Sequence, residues 1–210
     1  MANESNALKI AVEFIKAQEG LASNNPSTLN YVDKNATDNT NVYAYWDRFG
    51  KVWTIGWGST YHPDGKSVKE GEVITKKKAD EYISYEARKK MQAVKKLTDV
   101  SKLTDNQFAA LISIAYNTGE GNLKYKGDII TAINRGDTSQ RVAAIISESH
   151  ITAKGKRVQG LVNRRKKESS LYLSGSNLPS QTKGKANLII GILFLAVGVS
   201  FFLYKILNKE

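Results

Sequence analysis

Apolar residues near the start of the chain recur at intervals of three and four positions and trace one stripe of an amphipathic helix. These residues are Leu8, Ala11, Val12 and Ile15. Glu19 takes the next position on the stripe, and Gly20 is a residue type that commonly ends helices. Burial and the negative end of the helix dipole both favour a protonated carboxyl at Glu19, the form that a general acid in glycoside cleavage needs. Taken alone, the position also fits a carboxylate that extends into solvent.

A second pattern, rich in β-branched and aromatic residues, lies between residues 42 and 58. Two short runs flank an Asp-x-x-Gly turn that begins at Asp47, which predicts a β-hairpin. Asp47 at the bend and Thr54 on the second arm would then line a cleft beside Glu19. One of these polar groups would orient a water molecule and the other would help to hold it.

Helical periodicity dominates the residues that follow. One apolar run begins with a capping box formed by Thr104 and Gln107 and stops at Gly119. The predicted fold class is α+β: a first helix, a small sheet over about 42–75, and a mostly helical lobe, with the cleft between sheet and lobe. The helices of the lobe are predicted near 76–97, 104–118, 127–135, 137–149 and 158–173.

Together these segments resemble the phage-type lysozymes, glycoside hydrolase family 24. The catalytic pattern of that family is Glu-Gly-Leu at the end of the first helix, a Tyr-x-Asp-x-x-Gly turn, and then Thr-Ile-Gly-aromatic-Gly. In this chain the three motifs occupy residues 19–21, 45–50 and 54–58. The resemblance implies that Glu19, Asp47 and Thr54 are the catalytic residues. It also implies a lysozyme fold, cofactor-free cleavage of the β-1,4 bond between N-acetylmuramic acid and N-acetylglucosamine in peptidoglycan, and an inverting course.

Two later segments extend the resemblance, so that it covers residues 7–173. Residues 103–119 are similar to the family's central buried helix, and residues 160–168 are similar to its Gly-Leu-x-x-Arg-Arg-x-x-Glu helix. In the family the first of these arginines lies near the catalytic glutamate. The resemblance therefore implies that Arg164 pairs with Glu19 or contacts substrate. The residues assigned to substrate binding are Tyr116, Asn117 and Arg164.

The chain also departs from the family pattern. A polar stretch at 22–41 places Asp47 28 positions after Glu19, a longer separation than in many relatives. We interpret this stretch as an inserted surface loop, because the cost of closing a loop grows only slowly with its length. Ser59 stands where the family often has histidine, and His150 stands near where many relatives carry tryptophan.

The amino-acid composition limits the kinds of cross-link, metal ion and binding partner that the chain is expected to have. The chain has 210 residues, no cysteine and two histidines that are far apart, so neither disulfides nor a metal site is expected. Its formal net charge of +11 favours polyanions such as bacterial cell walls, anionic lipids or nucleic acid. Lysine runs such as 76–78 are typical of a solvated helix face, so nucleic acid is not expected as the main partner.

The C-terminal region predicts a membrane anchor. Residues 188–204 form a run of 17 residues without charge, close to the length that spans a bilayer as a helix. A buried core helix is the alternative, but a helix that is apolar on every side needs a large protein body around it. The expected organisation is a lysozyme-like domain at 1–173, a flexible linker at 174–187, and a transmembrane helix and tail at 188–207.

The N-terminus shows no signal-peptide pattern, so localisation remains open between two membranes. Basic residues before the span favour a cytoplasmic enzyme domain under the positive-inside rule, whereas peptidoglycan lies on the other side. An anchored enzyme carried in the membrane of a lipid-containing phage particle, for use in entry, resolves this conflict. The rival is an endolysin on the host inner membrane that acts at lysis. A third alternative is a membrane-anchored structural virion protein that has a lysozyme fold and little activity, although the intact catalytic trio argues against it.

Overall fold

The computed structural model describes the chain from residue 2 to residue 175 with gaps, namely residues 2–21, 24–25, 28–29, 36–48, 50–124 and 128–175. The predicted transmembrane helix and tail at 188–207 and nearly all of the predicted linker lie outside the described residues. Within the described ranges, no helix is both long enough and apolar enough to cross a bilayer.

Six α-helices form most of the described structure. They are α1 (Glu4–Glu19), α2 (Lys76–Lys95), α3 (Asp105–Thr118), α4 (Ile129–Arg135), α5 (Ser139–Glu148) and α6 (Gln159–Ser174). Short 3₁₀ helices occupy Val100–Lys102 and Glu120–Lys124. The first helix ends at Glu19 as predicted, and the five predicted helices of the lobe match α2 to α6 to within two residues at each end.

Eight short strands pair in four antiparallel ladders. The strands are β1 (Asn24–Asn25), β2 (Thr28–Leu29), β3 (Asn41–Tyr43), β4 (Tyr45–Asp47), β5 (Val52–Thr54), β6 (Val73–Thr75), β7 (Thr152–Ala153) and β8 (Lys156–Arg157). β1 pairs with β2, β3 with β6, β4 with β5 and β7 with β8.

The prediction of one sheet over 42–75 was wrong in its topology, because this region contains two separate ladders. Ala44 alone separates β3 from β4, and its backbone N–H donates to the carbonyl of Glu72 at 2.8 Å. This hydrogen bond continues the β3–β6 pairing by one residue, and from Tyr45 onward the chain pairs with β5 instead.

The predicted inserted loop at 22–41 contains the β1–β2 ladder, and its last residue, Asn41, begins β3. Its end is tied to the start of α2. The backbone N–H of Lys76 donates to the carbonyl of Thr40 at 2.8 Å, and that of Lys77 donates to Asp38 at 2.9 Å. The two hydrogen bonds fix the point at which the insertion returns to the domain.

Local capping explains where the helices begin and end. In α3 the hydroxyl of Thr104 accepts from the N–H of Gln107 at 3.3 Å, and the Gln107 side chain accepts from the N–H of Thr104 at 3.0 Å, so the predicted capping box is confirmed. At the end of α1, Gly20 has a φ of 70° and its N–H donates to the Lys16 carbonyl at 3.1 Å. This conformation costs glycine little, and it ends the helix immediately after Glu19.

Two hydrophobic cores lie beneath these elements. The larger one surrounds α3, which is buried continuously from Gln107 to Ala115 by the other helices. The smaller one lies under the strands and is formed by Leu21, Val42, Ala44, Ile55, Val68, Ala79 and Tyr82. α2 contributes to both cores, since Ala79 belongs to the small core and Ile83 to the large one.

Candidate active site

Glu19, the last residue of α1, forms an ion pair with Arg164 from α6. Arg164 Nη1 donates to Glu19 Oε1 at 2.6 Å, and the Glu19 side chain retains 28% of its exposure. Arg164 is therefore the counter-charge of Glu19. The helix pattern alone could not include this counter-charge, because Arg164 lies 145 positions later in the chain.

The glycines of the Gly-Trp-Gly segment bring backbone next to Glu19. A Cβ added at Gly58, where φ is +102°, would lie 3.9 Å from Glu19 Oε2. A Cβ at Gly56, where φ is +64°, would meet the Cβ of Ala79 in α2 at only 2.8 Å. The segment passes between α2 and the carboxylate only because these two positions lack side chains.

Trp57, between the two glycines, is held by Asp80 of α2. The indole N–H donates to Asp80 Oδ1 at 2.7 Å. Lys16 and Lys76 each place an ammonium group 3.1 Å from this carboxylate, and Lys16 also lies over the Trp57 ring, 5.5 Å from its centroid. Burial acts to raise the pKa of Asp80, but hydrogen bonds from Lys76, Trp57 and Lys16 outweigh it, so the pKa lies below its ordinary value.

Tyr116, near the end of α3, lies on the same side of the molecule as Glu19. Its hydroxyl donates to the carbonyl of Trp57 at 3.5 Å. Burial raises the pKa of Tyr116, and the negative charges of Glu19 and Glu86 add to the rise. Tyr45 of β4 acts on this pKa in the same direction, which places the hairpin close to Tyr116 as well.

The register of the β4–β5 hairpin sets which side chains share a face. Tyr45 is opposite Thr54, and Asp47 is opposite Val52, so Asp47 and Thr54 project from the same face as Tyr45.

The opposite face of the hairpin carries Trp46 and Trp53, whose rings pack edge to face with centroids 5.5 Å apart. These two tryptophans therefore pack with each other, although Trp46 is still 47% exposed. On the inner face, Thr54 is buried and its hydroxyl donates to the Val52 carbonyl at 3.4 Å. Asp47 is half-buried, and a Cβ at Gly50 would come within 2.8 Å of its Oδ2, so the turn needs glycine where the carboxylate lies over it.

A buried network supports Arg164 from behind. Arg164 Nε donates to Glu168 Oε1 at 3.3 Å, the Ser113 hydroxyl donates to the same oxygen at 2.7 Å, and Arg165 Nε lies 2.6 Å from Glu168 Oε2. Arg165 and Glu168 have no exposed surface. Burial raises the pKa of Glu168, and the two guanidinium groups and the serine act against that rise. Arg165 Nη2 also donates to Asn117 Oδ1 at 2.8 Å, which joins Asn117 to the network.

The structure thus places all six candidate residues around the end of α1, α3 and the hairpin. Glu19, Tyr116 and Arg164 lie close together, Asn117 is linked to them through Arg165, and Asp47 and Thr54 share the hairpin face that carries Tyr45. The sequence analysis assigned no role to Asp80, Arg165 or Glu168. The signals for them were a lysine four residues before Asp80 on a helix, and the Arg-Arg-x-x-Glu run that resembles the family motif. Within the described ranges, no group of three or more His, Asp or Glu side chains is arranged to hold a metal ion.

Comparison with known proteins identifies the family. Residues 36–168 match the phage lysozyme family. The chain belongs to this family. Similar curated family members include the endolysin of Bacillus phage PZA, 36% identical over 126 residues that cover 60% of this chain and 46% of the relative. The endolysin of Lactococcus phage c2 is 30% identical over 148 residues, 68% of this chain and 59% of the relative. The chain therefore spans only about half of the length of these phage lysozyme relatives.

Solved structures show the family fold over most of the chain. The endolysin from Escherichia coli O157:H7 phage FAHEc1 has 31% identity and a TM-score of 0.62, with 80% of this chain and 93% of that chain covered. The muramidase domain of SpmX from Asticaccaulis excentricus has 26% identity and a TM-score of 0.59, with 78% and 94% covered. Glu19 precedes the residues matched to the family, so its assignment depends on the Glu-Gly-Leu motif and the geometry above.

Proposed function

We propose that this chain is a peptidoglycan hydrolase of the muramidase type, which cleaves the β-1,4 bond between N-acetylmuramic acid and N-acetylglucosamine. The observation that carries the proposal is the placement of Glu19, which Arg164 holds beside Gly58 of the Thr-Ile-Gly-Trp-Gly motif, while Asp47 and Thr54 share one face of the β4–β5 hairpin. Membership of the phage lysozyme family supports the same reaction class.

In the proposed mechanism, Glu19 protonates the glycosidic oxygen as the bond breaks. Asp47 and Thr54 position a water molecule that attacks the sugar from the opposite face, which gives inversion. Glu19 must carry a proton for this step.

Tyr116, Asn117 and Arg164 are the proposed substrate contacts. Asn117 Oδ1 already accepts from Arg165, so its amide N–H groups are the part that would donate to a sugar. Tyr116 lies beside Glu19 and presents an aromatic ring with a hydroxyl, a combination suited to a sugar face and its polar edge. Arg164 would contact substrate once its bond to Glu19 loosens.

The test compares three forms of the full chain on purified peptidoglycan. Glu19→Gln removes the proton donor and keeps the shape, so release of reducing ends should fall by about 100-fold or more. Glu13→Gln is the matched control, because Glu13 lies on the same helix with an exposed side chain and has only a 3.5 Å contact to Lys16. This control should cleave like the parent. Cleavage by Glu19→Gln at the parent rate would refute the role of Glu19, and an inactive parent would favour the structural virion protein.

We also propose that residues 188–207 anchor the enzyme in a membrane as a single-pass helix, either in a lipid-containing phage particle or on the host inner membrane. The support is the run of 17 uncharged residues at 188–204, followed by Lys205.

Flotation of the full chain with liposomes tests the anchor. The parent should rise with the lipid, whereas a variant with Leu193→Lys and Val197→Lys should remain at the bottom, because each charge opposes insertion by about 3 kcal/mol. The control places two lysines in the linker, at Ser176 and Ser180, and should float. Equal flotation of parent and the Leu193→Lys, Val197→Lys variant would contradict the anchor.

A further inference from the structure

A groove of about 610 Å³ runs along α2 on a side of the protein that the proposed reaction does not use. One wall is formed by a face of α2 that carries Tyr85 and Arg88 and by Lys96, which directly follows the last residue of the helix. The other wall includes the 3₁₀ helix Glu120–Lys124. None of the candidate catalytic residues lines it. We call it the α2 groove.

The α2 groove is strongly basic. It is lined by five cations, Arg88, Lys89, Lys90, Lys96 and Lys124, and by one carboxylate, Glu120, so its formal charge is five minus one, or +4. Lys90 Nζ forms an ion pair with Glu120 Oε2 at 2.6 Å, and this contact joins the two walls of the groove.

Three of the cations have no carboxylate partner among the described residues, namely Arg88, Lys96 and Lys124. Other lysines of α2 are paired, as Lys78 is with Glu81 at 3.0 Å and Lys95 is with Glu4 at 2.6 Å, although exposed Lys77 has no ion pair among the described residues. A cluster of unpaired cations on two facing walls repels itself unless an anion lies between them. The groove is therefore suited to an external polyanion.

We propose that the α2 groove binds a linear polyphosphodiester, the chemistry of cell-wall polymers built from glycerol phosphate. Arg88 and Lys96 are eight residues apart, which at 1.5 Å per residue places their backbones about 12 Å apart along the helix. This length accommodates two or three successive phosphates of an extended chain. The assignment of the polymer to the bacterial cell wall rests on the proposed function. The existence of a polyanion-binding site depends only on the charges that line the groove.

Nucleic acid is the main competitor, and the aromatic content of the groove argues against it. Proteins that bind single strands place aromatic rings where bases can stack on them. Among the described lining residues Tyr85 is the one aromatic side chain, and the Lys89 ammonium lies 5.4 Å from its ring centroid and covers a face of the ring. The described part of the groove thus offers charge for phosphates and little aromatic surface for bases. A flat lipid surface is also a poor match for cations on two walls of a concave groove.

The groove would keep the enzyme on the wall between cleavage events. α2 carries the groove and also carries Asp80, which holds Trp57 beside the candidate active site. Because one continuous helix joins both features, a polymer bound in the groove would hold the active site at a fixed distance from the same strand of wall.

The test measures binding of the full chain to soluble poly(glycerol phosphate) without turnover, by fluorescence anisotropy over a range of salt concentrations. The groove variant carries Arg88→Gln, Lys96→Gln and Lys124→Gln. The charge-matched control carries Lys9→Gln, Lys69→Gln and Lys156→Gln, three exposed lysines outside the groove. The groove variant should bind about tenfold or more weakly and with a smaller salt dependence, whereas the control should change little.

Three outcomes of this experiment would contradict the proposal. Equal weakening in both variants would show that overall charge attracts the polymer, and absence of binding by the parent would also overturn the site. Single-stranded DNA and anionic vesicles are compared with poly(glycerol phosphate) at equal phosphate concentration. If either binds more tightly than the polymer, and if that binding is lost in the groove variant, the assignment of the polymer is wrong. Because cleavage is not measured, failure of the groove and failure of the proposed hydrolase are separate outcomes.

Discussion

Asp80 is the residue on which the position of Trp57 depends. Replacing it by Asn keeps one hydrogen-bond acceptor for the indole but removes the charge that Lys16 and Lys76 share. We expect Asp80→Asn to lower the free energy of unfolding by about 1 kcal/mol near neutral pH. Activity should fall as well, because Trp57 lies between the glycines that pass Glu19.

The same substitution has a defined pH dependence. The pKa of Asp80 in the folded state is below its unfolded value of 3.8, so its contribution to stability is present above pH 3.8 and is lost as the pH falls through the folded pKa. Urea unfolding of parent and Asp80→Asn should therefore give curves that converge in that acid range. Asp64→Asn is the control for the size of the effect, since Asp64 is exposed: hydrogen bonds from Lys66 also lower its pKa, but the change in unfolding free energy should be much smaller than at Asp80. If the difference in unfolding free energy between the parent and Asp80→Asn stays constant with pH, the charge of Asp80 does not contribute to stability.

Glu168 is the counter-ion of a fully buried arginine. Glu168→Gln would leave Arg165 charged, without exposed surface and without its partner, so the free energy of unfolding should fall by about 3–5 kcal/mol. Glu148→Gln makes the same chemical change at an exposed pair with a 3.7 Å contact to Arg157, and should cost less than about 1 kcal/mol. Denaturant unfolding measures both, and equal stabilities would mean that Glu168 is protonated or hydrated in the folded state.

At this scale the sequence indicated the candidate catalytic residues but not the buried residues that support them. Glu19 departed from an apolar stripe and Asp47 followed the turn pattern, so both were visible locally. Arg165 and Glu168 lie in a run of charged residues that is typical of a solvated helix face. Only the packing of α6 against α3 buries them, and periodicity in one helix does not contain that information.

At the scale of elements, the Gly-Trp-Gly segment depends on how closely it packs against α2. Gly56→Ala would add strain at a φ of +64° and a contact of 2.8 Å with the Ala79 Cβ, so we expect a loss of about 3 kcal/mol in unfolding free energy. Gly65→Ala is matched for strain at a φ of +86° but has nothing within 4 Å, and should cost about 1 kcal/mol. Equal losses, measured by denaturant unfolding, would show that α2 yields to the added methyl group.

Helices were predicted well because their ends carry local signals. The capping box at Thr104 and the glycine stops at Gly20 and Gly119 fix their ends within a few residues of sequence. The β7–β8 ladder and the two 3₁₀ helices were not predicted, because segments of two to five residues are too short to establish a period. The split of the predicted sheet depends on the change of pairing partner after Ala44, from β6 to β5, which no local pattern indicates.

At the scale of the whole molecule, the two cores differ greatly in size. The large core joins all six helices, whereas the small core has seven buried residues beneath ladders of two or three residue pairs. Stability from burial scales with apolar area, so the strand region contributes less than the helical lobe. Asp47 and Thr54 are therefore carried by the less stable part of the molecule, and Glu19 by a helix of the more stable part.

Hydrogen exchange should reveal this difference. The amides of β3 to β6 should exchange through local opening at a lower free energy than those of α3, which should exchange only on global unfolding. Ile55→Val, in the small core, should speed exchange in the strands by about fivefold and leave α3 almost unchanged, because it removes one buried methylene worth about 1 kcal/mol. Ile112→Val, at an equally buried site of α3, should instead speed exchange in both regions if the strands require the helical lobe to remain folded. A response of α3 to Ile55→Val as large as that of the strands would show that the two cores unfold as one unit, and the hairpin would then have no independent motion with which to admit substrate.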